Sequence, residues 1–460
     1  MAGPFSATSA SAALLLLLLL ASSPGALGAA PRGANTWDAE PNTANETQIL
    51  AAAAYMRDVL LPFGYDTLTL DGGWYNNASG MVLDAFGRPY PNTALFPSAA
   101  DGRGLKSLAE RVNAMGIRLG AWTIRGVPRQ AVELDLPIFN SSFTARDAAV
   151  LDRNCSWDAQ ILGTNAPSAA ADAWYASIAQ LYLDYGLSFV KIDCMWPGSP
   201  GGQRFDEDVV AFATAFSARA PGIPISWSPG DGMTPTNGSW IAERGGAFGV
   251  MYRVTPDFHD DSWPRLKAHL ATAASYAPLI GLGGTYPDLD MLPVGNQSRG
   301  SGNAPSPCLF SHDEQRLLMT LWCIARAPLI IGAVLPLDAD DTWTLGLLTN
   351  TAALAVNSAT RANAPVALAV GPSNATDLWA WTALPDDDVS GTHAIVAIFN
   401  AQDEPVAELG IALPPAGVLP AACFRATDIW SGQSLPGTFS STFSVPLNAH
   451  ASGLYRLQPC

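Results

Sequence analysis

From about residue 33 to 345, short apolar and β-branched runs alternate with longer amphipathic stretches of helix-forming residues. The β-like runs fall at 65–70, 117–124, 188–192, 223–227, 248–254, 278–281 and 328–334, with a short first one near 34–37. The helix-length stretches lie at 46–61, 105–115, 169–185, 206–219, 263–276 and 313–326. Apolar residues at period two mark strands and those at period 3.6 mark helices, so this stretch predicts eight β/α units. Regular β/α alternation implies a parallel sheet covered by helices, and eight units suggest closure. The expected fold class is α/β: a (β/α)8 TIM barrel over residues 31–355, followed by a C-terminal antiparallel β-sandwich over 356–460. The second part rests on a change of texture after about residue 360, where alternating apolar runs are separated by Pro, Gly, Asn and Asp turns without helical period. An open dinucleotide-binding sheet is disfavoured because no G-x-G-x-x-G turn follows the first strand. Polar residues instead gather just after several strands: Asp71, Arg125, Asp193, Arg253 with Asp257, and Asp288 with Asp290. Barrel active sites draw on many strand ends in this way.

Composition narrows the picture. A chain of 460 residues that is 48% hydrophobic can bury two cores, and its net charge of −16 argues against nucleic acid or an anionic membrane as partner. Residues 1–30 read as a signal peptide, with seven consecutive leucines from Leu14 to Leu20 and small residues through Ala26, Gly28 and Ala30. The mature protein is expected to be soluble, with no membrane association after signal cleavage. Seven Asn-x-Ser/Thr sequons, at Asn45, Asn77, Asn140, Asn154, Asn237, Asn296 and Asn374, agree with the secretory pathway. The destination is the exterior, the cell wall, or a vacuole or lysosome-like compartment. Six cysteines permit up to three disulfides; no CxxC or Cys/His zinc spacing occurs, so neither metal nor cofactor is expected.

The segment Ser188-Phe189-Val190-Lys191-Ile192-Asp193-Cys194 carries the sharpest chemistry. Lys191 is one of only three lysines, and it shares a strand face with Asp193. A carboxylate beside a fixed ammonium stays ionised, as a carboxylate nucleophile must. A second rim carboxylate, Asp257, lies four residues after Arg253. Two such carboxylates suit double-displacement glycoside hydrolysis, in which they stand about 5–5.5 Å apart.

At this point the chain resembles the melibiase-type α-galactosidases, glycoside hydrolase family 27, over nearly all of residues 33–460. Lys191-Ile192-Asp193-Cys194 is similar to the family's nucleophile motif. Arg253-x-x-x-Asp257, followed by Asp260-Asp261-Ser262-Trp263, resembles its acid/base motif. Gly283-Gly284-Thr285-Tyr286-Pro287-Asp288-Leu289-Asp290-Met291 resembles its G-G-x-x-x-P-D-M-L segment, and the passage from Trp322 to Leu329 its W-x-x-x-x-x-P-L. The resemblance implies a secreted retaining exo-glycosidase, an α-galactosidase, with Asp193 as nucleophile and Asp257 as acid/base. It further implies that Lys191 and Arg253 orient hydroxyls and the carboxylate, that Asp71 and Asp290 line the sugar pocket, and that Cys194 pairs with Cys155. Cys308, Cys323, Cys423 and Cys460 stay unassigned. Trp122 is expected to form a stacking wall.

Two departures bear on the sugar. Where the family carries D-D-C-W, this chain reads Asp71-Gly72-Gly73-Trp74, so the carboxylate that binds the C6 hydroxyl is missing. Where it carries G-W-N-x-W, this chain reads Gly33-Ala34-Asn35-Thr36-Trp37, so a pocket tryptophan is expected to be lost. β-L-Arabinopyranose is galactopyranose without the C6 hydroxymethyl, so β-L-arabinopyranosidase is an alternative. The stretch from Ile124 to Val132, with Ser228-Pro229-Gly230, most resembles a plant and algal branch associated with that activity. Ser228, near the position that reads the C2 substituent, leaves α-N-acetylgalactosaminides open. A galactose-binding protein with decayed catalysis is the reading from another class. Arg125 stands between pocket lining and a structural ion pair, Asp260-Asp261-Ser262 is expected to cap the next helix, and His259 and His312 are expected to be surface or satisfied residues.

Overall fold

The computed structural model describes residues 29–195, 205–229, 233–300, 302–373 and 376–460; the expected leader lies almost wholly outside them, as does the sequon at Asn374. Eight parallel strands form one sheet: β1 (Arg32–Asn35), β2 (Thr67–Leu70), β3 (Arg118–Ile124), β4 (Phe189–Asp193), β5 (Ile225–Ser228), β6 (Met251–Arg253), β7 (Tyr286–Asp288) and β8 (Leu329–Ile331). The sheet closes where the chain just beyond β7 bridges β8. Leu292 N–H donates to Ile330 O at 2.7 Å, and Gly332 N–H donates to Leu292 O at 3.0 Å. This is the expected barrel.

Period-two alternation sorts the side chains. On β4, Val190 and Ile192 are fully buried against the helical layer, while Phe189 joins Met251, Met291 and Ile330 along the barrel axis. Lys191 and Asp193 share the Phe189 face, so the axis becomes polar toward the C-terminal rim. Gly120 on β3 makes room for this filling: a Cβ there would lie 2.8 Å from Phe189 Cβ.

Outside the barrel run α1 (Glu46–Tyr55), α2 (Lys106–Asn113), α3 (Ala169–Asp184), α4 (Asp206–Arg219), α5 (Pro235–Ala242), α6 (Trp263–Tyr276), α7 (His312–Ile324), α8 (Thr342–Thr349) and α9 (Thr351–Ser358). Caps start several of them. Asn45 with Gln48 and Ser311 with Glu314 form capping boxes, and the Ser168 hydroxyl accepts from Ala171 N–H. α5, α8 and α9 fall outside the six anticipated helical stretches.

The seventh strand is not at 278–281. Ala277–Leu279 forms a 3-10 turn, and Gly281, Gly283 and Gly284 take φ of +71°, +64° and +80°. That left-handed backbone cannot continue a strand. The strand begins only at Tyr286.

After α9 come β9 (Thr360–Val366), β10 (Leu378–Pro385), β11 (Ala394–Asn400), β12 (Val406–Ala412), β13 (Phe424–Asp428), β14 (Thr442–Leu447) and β15 (Ala451–Pro459). They form an antiparallel five-stranded sheet, ordered β9-β10-β11-β15-β13, and a β12-β14 pair. Val396, Ile398, Leu409, Phe424 and Phe443 fill the core between them. This layer docks on α7, where the Ser452 hydroxyl and the Trp430 indole each reach Thr320 Oγ1 at 2.9 Å. No helix among the described residues is long and apolar enough to cross a membrane.

Candidate active site at the barrel rim

A cavity of about 850 Å³ opens at the C-terminal ends of the strands. Asp71, Trp122, Lys191, Asp193, Arg253 and Asp257 all line it. Sequence residues far apart are therefore brought together where a barrel places its chemistry.

The β4 end is held from several directions. Asp193 Oδ1 accepts from Cys194 N–H at 2.8 Å, and the Trp122 indole N–H points at Oδ2 from 3.4 Å. Cys194 takes φ of +61°, which turns the chain sharply after the strand. Its disulfide to Cys155, with Cα atoms 5.9 Å apart, fastens that turn to the β3–α3 loop. Arg125 completes the clamp. It is fully buried, donates to Cys194 O at 2.7 Å and Arg153 O at 2.9 Å, and lies over the Phe205 ring. It is neither a pocket wall nor half of an ion pair.

Lys191 does not touch Asp193. Its Nζ bonds Asp71 Oδ2 at 2.7 Å, an oxygen that also accepts from Asn35 Nδ2 at 2.7 Å. Asp71 Oδ1 takes Gly72 N–H at 2.8 Å. The ammonium therefore acts on Asp193 only through its field. Burial pushes the Asp193 carboxyl above its ordinary range, against the pull of Arg253 and Lys191.

The β6 end is looser. Asp257 is half exposed, and Arg253 Nη1 meets its Oδ1 at 2.6 Å. Burial pushes this carboxyl up, but Arg253, with Lys191 behind it, more than reverses that and holds it below the usual range. Asp290 does not line the cavity. It is buried beneath it, accepting from Phe258 N–H at 2.8 Å and standing 3.8 Å from Arg253 Nη1, so it braces the Asp257 loop from below. Ser228 is likewise buried behind the wall, and Pro229 presents the surface there.

Further corrections concern neighbouring residues. His259 lines the cavity as a satisfied residue, as expected: its Nδ1 stands 3.2 Å from the buried Asp38 carboxylate, which raises the imidazole to about 9. Asp260 does not cap α6: it is buried, ion-paired with Arg299, and accepts Leu309 N–H at 2.6 Å, while Ser262 makes no side-chain cap bond. His312 stacks on Trp343, as a satisfied residue would. Ala34 faces the helical layer beside Ile49 and Leu68, whereas Trp37 lines the cavity. The pocket tryptophan is therefore kept. Tyr75, Trp157 and Arg265 also line the cavity and were missed; the aromatic pair Trp74-Tyr75 directly after the Asp71 turn was the available signal. Cys423 and Cys460 form a second disulfide, and Cys308 and Cys323 are free thiols. Among the described residues, no cluster of three or more His, Cys, Asp or Glu side chains could hold a metal.

Residues 381–457 match the alpha galactosidase C-terminal beta sandwich domain. The GH27 β-L-arabinopyranosidase of Geobacillus stearothermophilus, solved also with arabinose, is 30% identical with a TM-score of 0.84 over 94% of this chain and up to 98% of that one. A putative α-N-acetylgalactosaminidase of Bacillus halodurans is 29% identical, with a TM-score of 0.80 over 94% and 97%. Alpha-galactosidase 3 of Arabidopsis thaliana is 24% identical over 93% of this chain and 81% of its own length. The chain belongs to glycoside hydrolase family 27, the melibiase-type family. It is a glycoside hydrolase, and its substrate is a carbohydrate.

Proposed function

We propose that this enzyme is a retaining exo-glycosidase that removes a terminal, neutral, galacto-configured pyranose by double displacement. The observation that carries the reading is the convergence of Asp193 and Asp257 on one cavity, each beside fixed positive charge. In the first step the Asp193 carboxylate bonds to the anomeric carbon as the bond to the leaving oxygen breaks, and Asp257 gives that oxygen its proton. In the second, Asp257 takes a proton from water, whose oxygen displaces Asp193 and releases the sugar. Burial raises the Asp193 carboxyl, and the charges of Arg253 and Lys191 with the Cys194 N–H pull the other way, toward the ionised form. The working form of the carboxyl pair carries a single proton, so activity declines at alkaline pH once both are ionised.

For the sugar, β-L-arabinopyranose is the first reading. Gly72 offers no carboxylate to a C6 hydroxyl, and the similarity to the Geobacillus arabinopyranosidase exceeds that to the α-galactosidases at 23–25% identity. α-D-Galactose is the second reading, favoured by the space at Gly72: a Cβ there would sit 3.6 Å from Trp37 and 3.8 Å from Trp122, in ordinary contact. Entry into the secretory pathway is supported by the leader-like residues 1–30 and by two disulfides. Release of p-nitrophenol from the β-L-arabinopyranoside, the α-galactoside and the α-N-acetylgalactosaminide ranks the sugars by kcat/KM. If none of the three turns over, the galacto-configured exo-glycosidase reading fails.

A further inference from the structure

Four consecutive residues after β6 are each fastened to a different part of the rim. Asp257 meets Arg253, and Phe258 N–H donates to Asp290 just beyond β7. His259 faces Asp38 just beyond β1, and Asp260 pairs with Arg299 in the chain between β7 and β8. The His259 tie spans the most strands, because β7 and β8 stand between β6 and β1 around the barrel.

Packing alone does not call for a charge at Asp38. It is 1% exposed, and among the described residues only His259 Nδ1, 3.2 Å away, answers its carboxylate. Gly332 after β8 leaves the room it occupies, since a Cβ there would lie 2.7 Å from Asp38 Oδ2. A buried carboxylate with one partner and no further hydrogen bonds weakens a fold relative to an apolar side chain of the same size. Set against a cavity, such a pair is the pattern of a functional group rather than of a structural one. His259 makes the link to the chemistry. Its side chain is 28% exposed, lines the cavity two residues after Asp257, and is turned through Nδ1 to Asp38.

The charges around this ring are mostly negative. Asp38 faces it from the β1 end, Asp290 from the β7 end and Asp257 from its own loop, while Asp260 is taken up by Arg299. Arg253, with Lys191 behind it, is the other cation acting on Asp257, whose carbonyl accepts from Arg265 Nη1 of α6 at 3.4 Å. Burial raises the Asp38 carboxyl against the pull of His259, and Asp38 in return keeps the imidazole charged. We propose that His259, held by Asp38, is a positioning residue for Asp257: the pair fixes the acid/base loop across the barrel and sets a cation near it that stabilises Asp257 each time it gives up its proton. That proton goes to the leaving oxygen, and water returns one in the second step, so His259 keeps its own proton throughout. This inference rests on the exo-glycosidase reading.

The test separates the two claims. Hydrolysis of the glycosyl fluoride by the parent enzyme, whose leaving group needs no proton, reports on the exo-glycosidase reading alone. His259→Gln keeps a donor toward Asp38 but carries no charge. It should lower kcat/KM for the methyl glycoside, whose leaving oxygen needs a proton, about tenfold, and for the fluoride less than about twofold. The alkaline limb of its profile should move upward, because Asp257 then holds its proton to higher pH. Asp38→Asn should show the same selective loss at neutral pH, where His259 no longer has the group that keeps it charged, and should recover at acidic pH as the imidazole regains its proton. The double variant should be no worse than either single one. Equal losses on both substrates, an unmoved alkaline limb, or additive losses in the double variant overturn the positioning role while the exo-glycosidase reading stands. Failure of the parent to hydrolyse the fluoride overturns both.

Discussion

The two rim carboxylates are held in contrasting ways. Asp193 ends a strand whose next residue is disulfide-bonded, whose next carbonyl is gripped by Arg125, and whose oxygens face a backbone N–H and an indole N–H. Asp257 sits half exposed on a loop, its carboxylate held by Arg253, its carbonyl accepting from Arg265 Nη1 at 3.4 Å, and the next residue braced from below through Phe258 N–H and Asp290. The difference follows from the two tasks proposed for them. A nucleophile must be fixed in place and kept charged, so a rigid socket serves it. An acid/base must exchange protons with the leaving group and with water, so it needs solvent access and a charge balance that can shift.

The sharpest way to break this comparison is Asp193→Asn. Turnover should fall to below about one thousandth of the parent value, with the thermal midpoint nearly unchanged because burial already disfavours the charge. Near-parental turnover would remove Asp193 from the nucleophile role. Asp257→Asn should cost about 10²–10⁴-fold on substrates with a sugar leaving group and far less on the glycosyl fluoride, which needs no proton. Equal losses on both would show that Asp257 does not act as the acid.

Lys191→Met tests whether the β4 socket is built on Asp71. Removing the ammonium leaves a buried carboxylate with only the neutral donors Asn35 Nδ2 and Gly72 N–H, so urea unfolding should show a loss of about 3 kcal/mol, and Asp71→Asn should recover part of it. Additive losses would mean that the 2.7 Å pair contributes no coupling. Gly72→Asp should move the ratio of kcat/KM toward α-galactosides over β-L-arabinopyranosides by roughly 1–3 kcal/mol. An unchanged ratio takes Gly72 out of the specificity account. The smallest effect concerns pH. Arg253 holds the Asp257 carboxyl below its ordinary range, so Arg253→Gln should let that carboxyl rise. The proton then stays on Asp257 to higher pH, and the alkaline limb of kcat/KM should shift upward; a downward shift would contradict the assigned charge balance.

Much of the site was legible because strand periodicity is local. Lys191 and Asp193 share a face by period two, and Arg253 and Asp257 lie in one short motif. What was hidden was tertiary. The Lys191 partner proved to be Asp71 from another strand, and His259 owes its place in the cavity to Asp38, which no local pattern links to it. The apolar run at 278–281 looked like a strand because apolar content does not report the positive φ angles of Gly281, Gly283 and Gly284. Ala34 seemed to mark a lost pocket residue, since a motif does not tell which strand face each position takes. The Cys423–Cys460 pair could not be chosen from sequence, because both cysteines lie in a sandwich whose strand order is non-sequential.

The proposal that Asp193 attacks the sugar is tested most directly by trapping the intermediate. The enzyme would be incubated with a slow fluorinated glycoside carrying a good leaving group, then digested and mapped by mass spectrometry. One added glycosyl mass on the peptide containing Asp193, absent from Asp193→Asn, is the predicted result. A glycosyl mass on any other residue, or hydrolysis of the same compound with the anomeric configuration inverted, would contradict it.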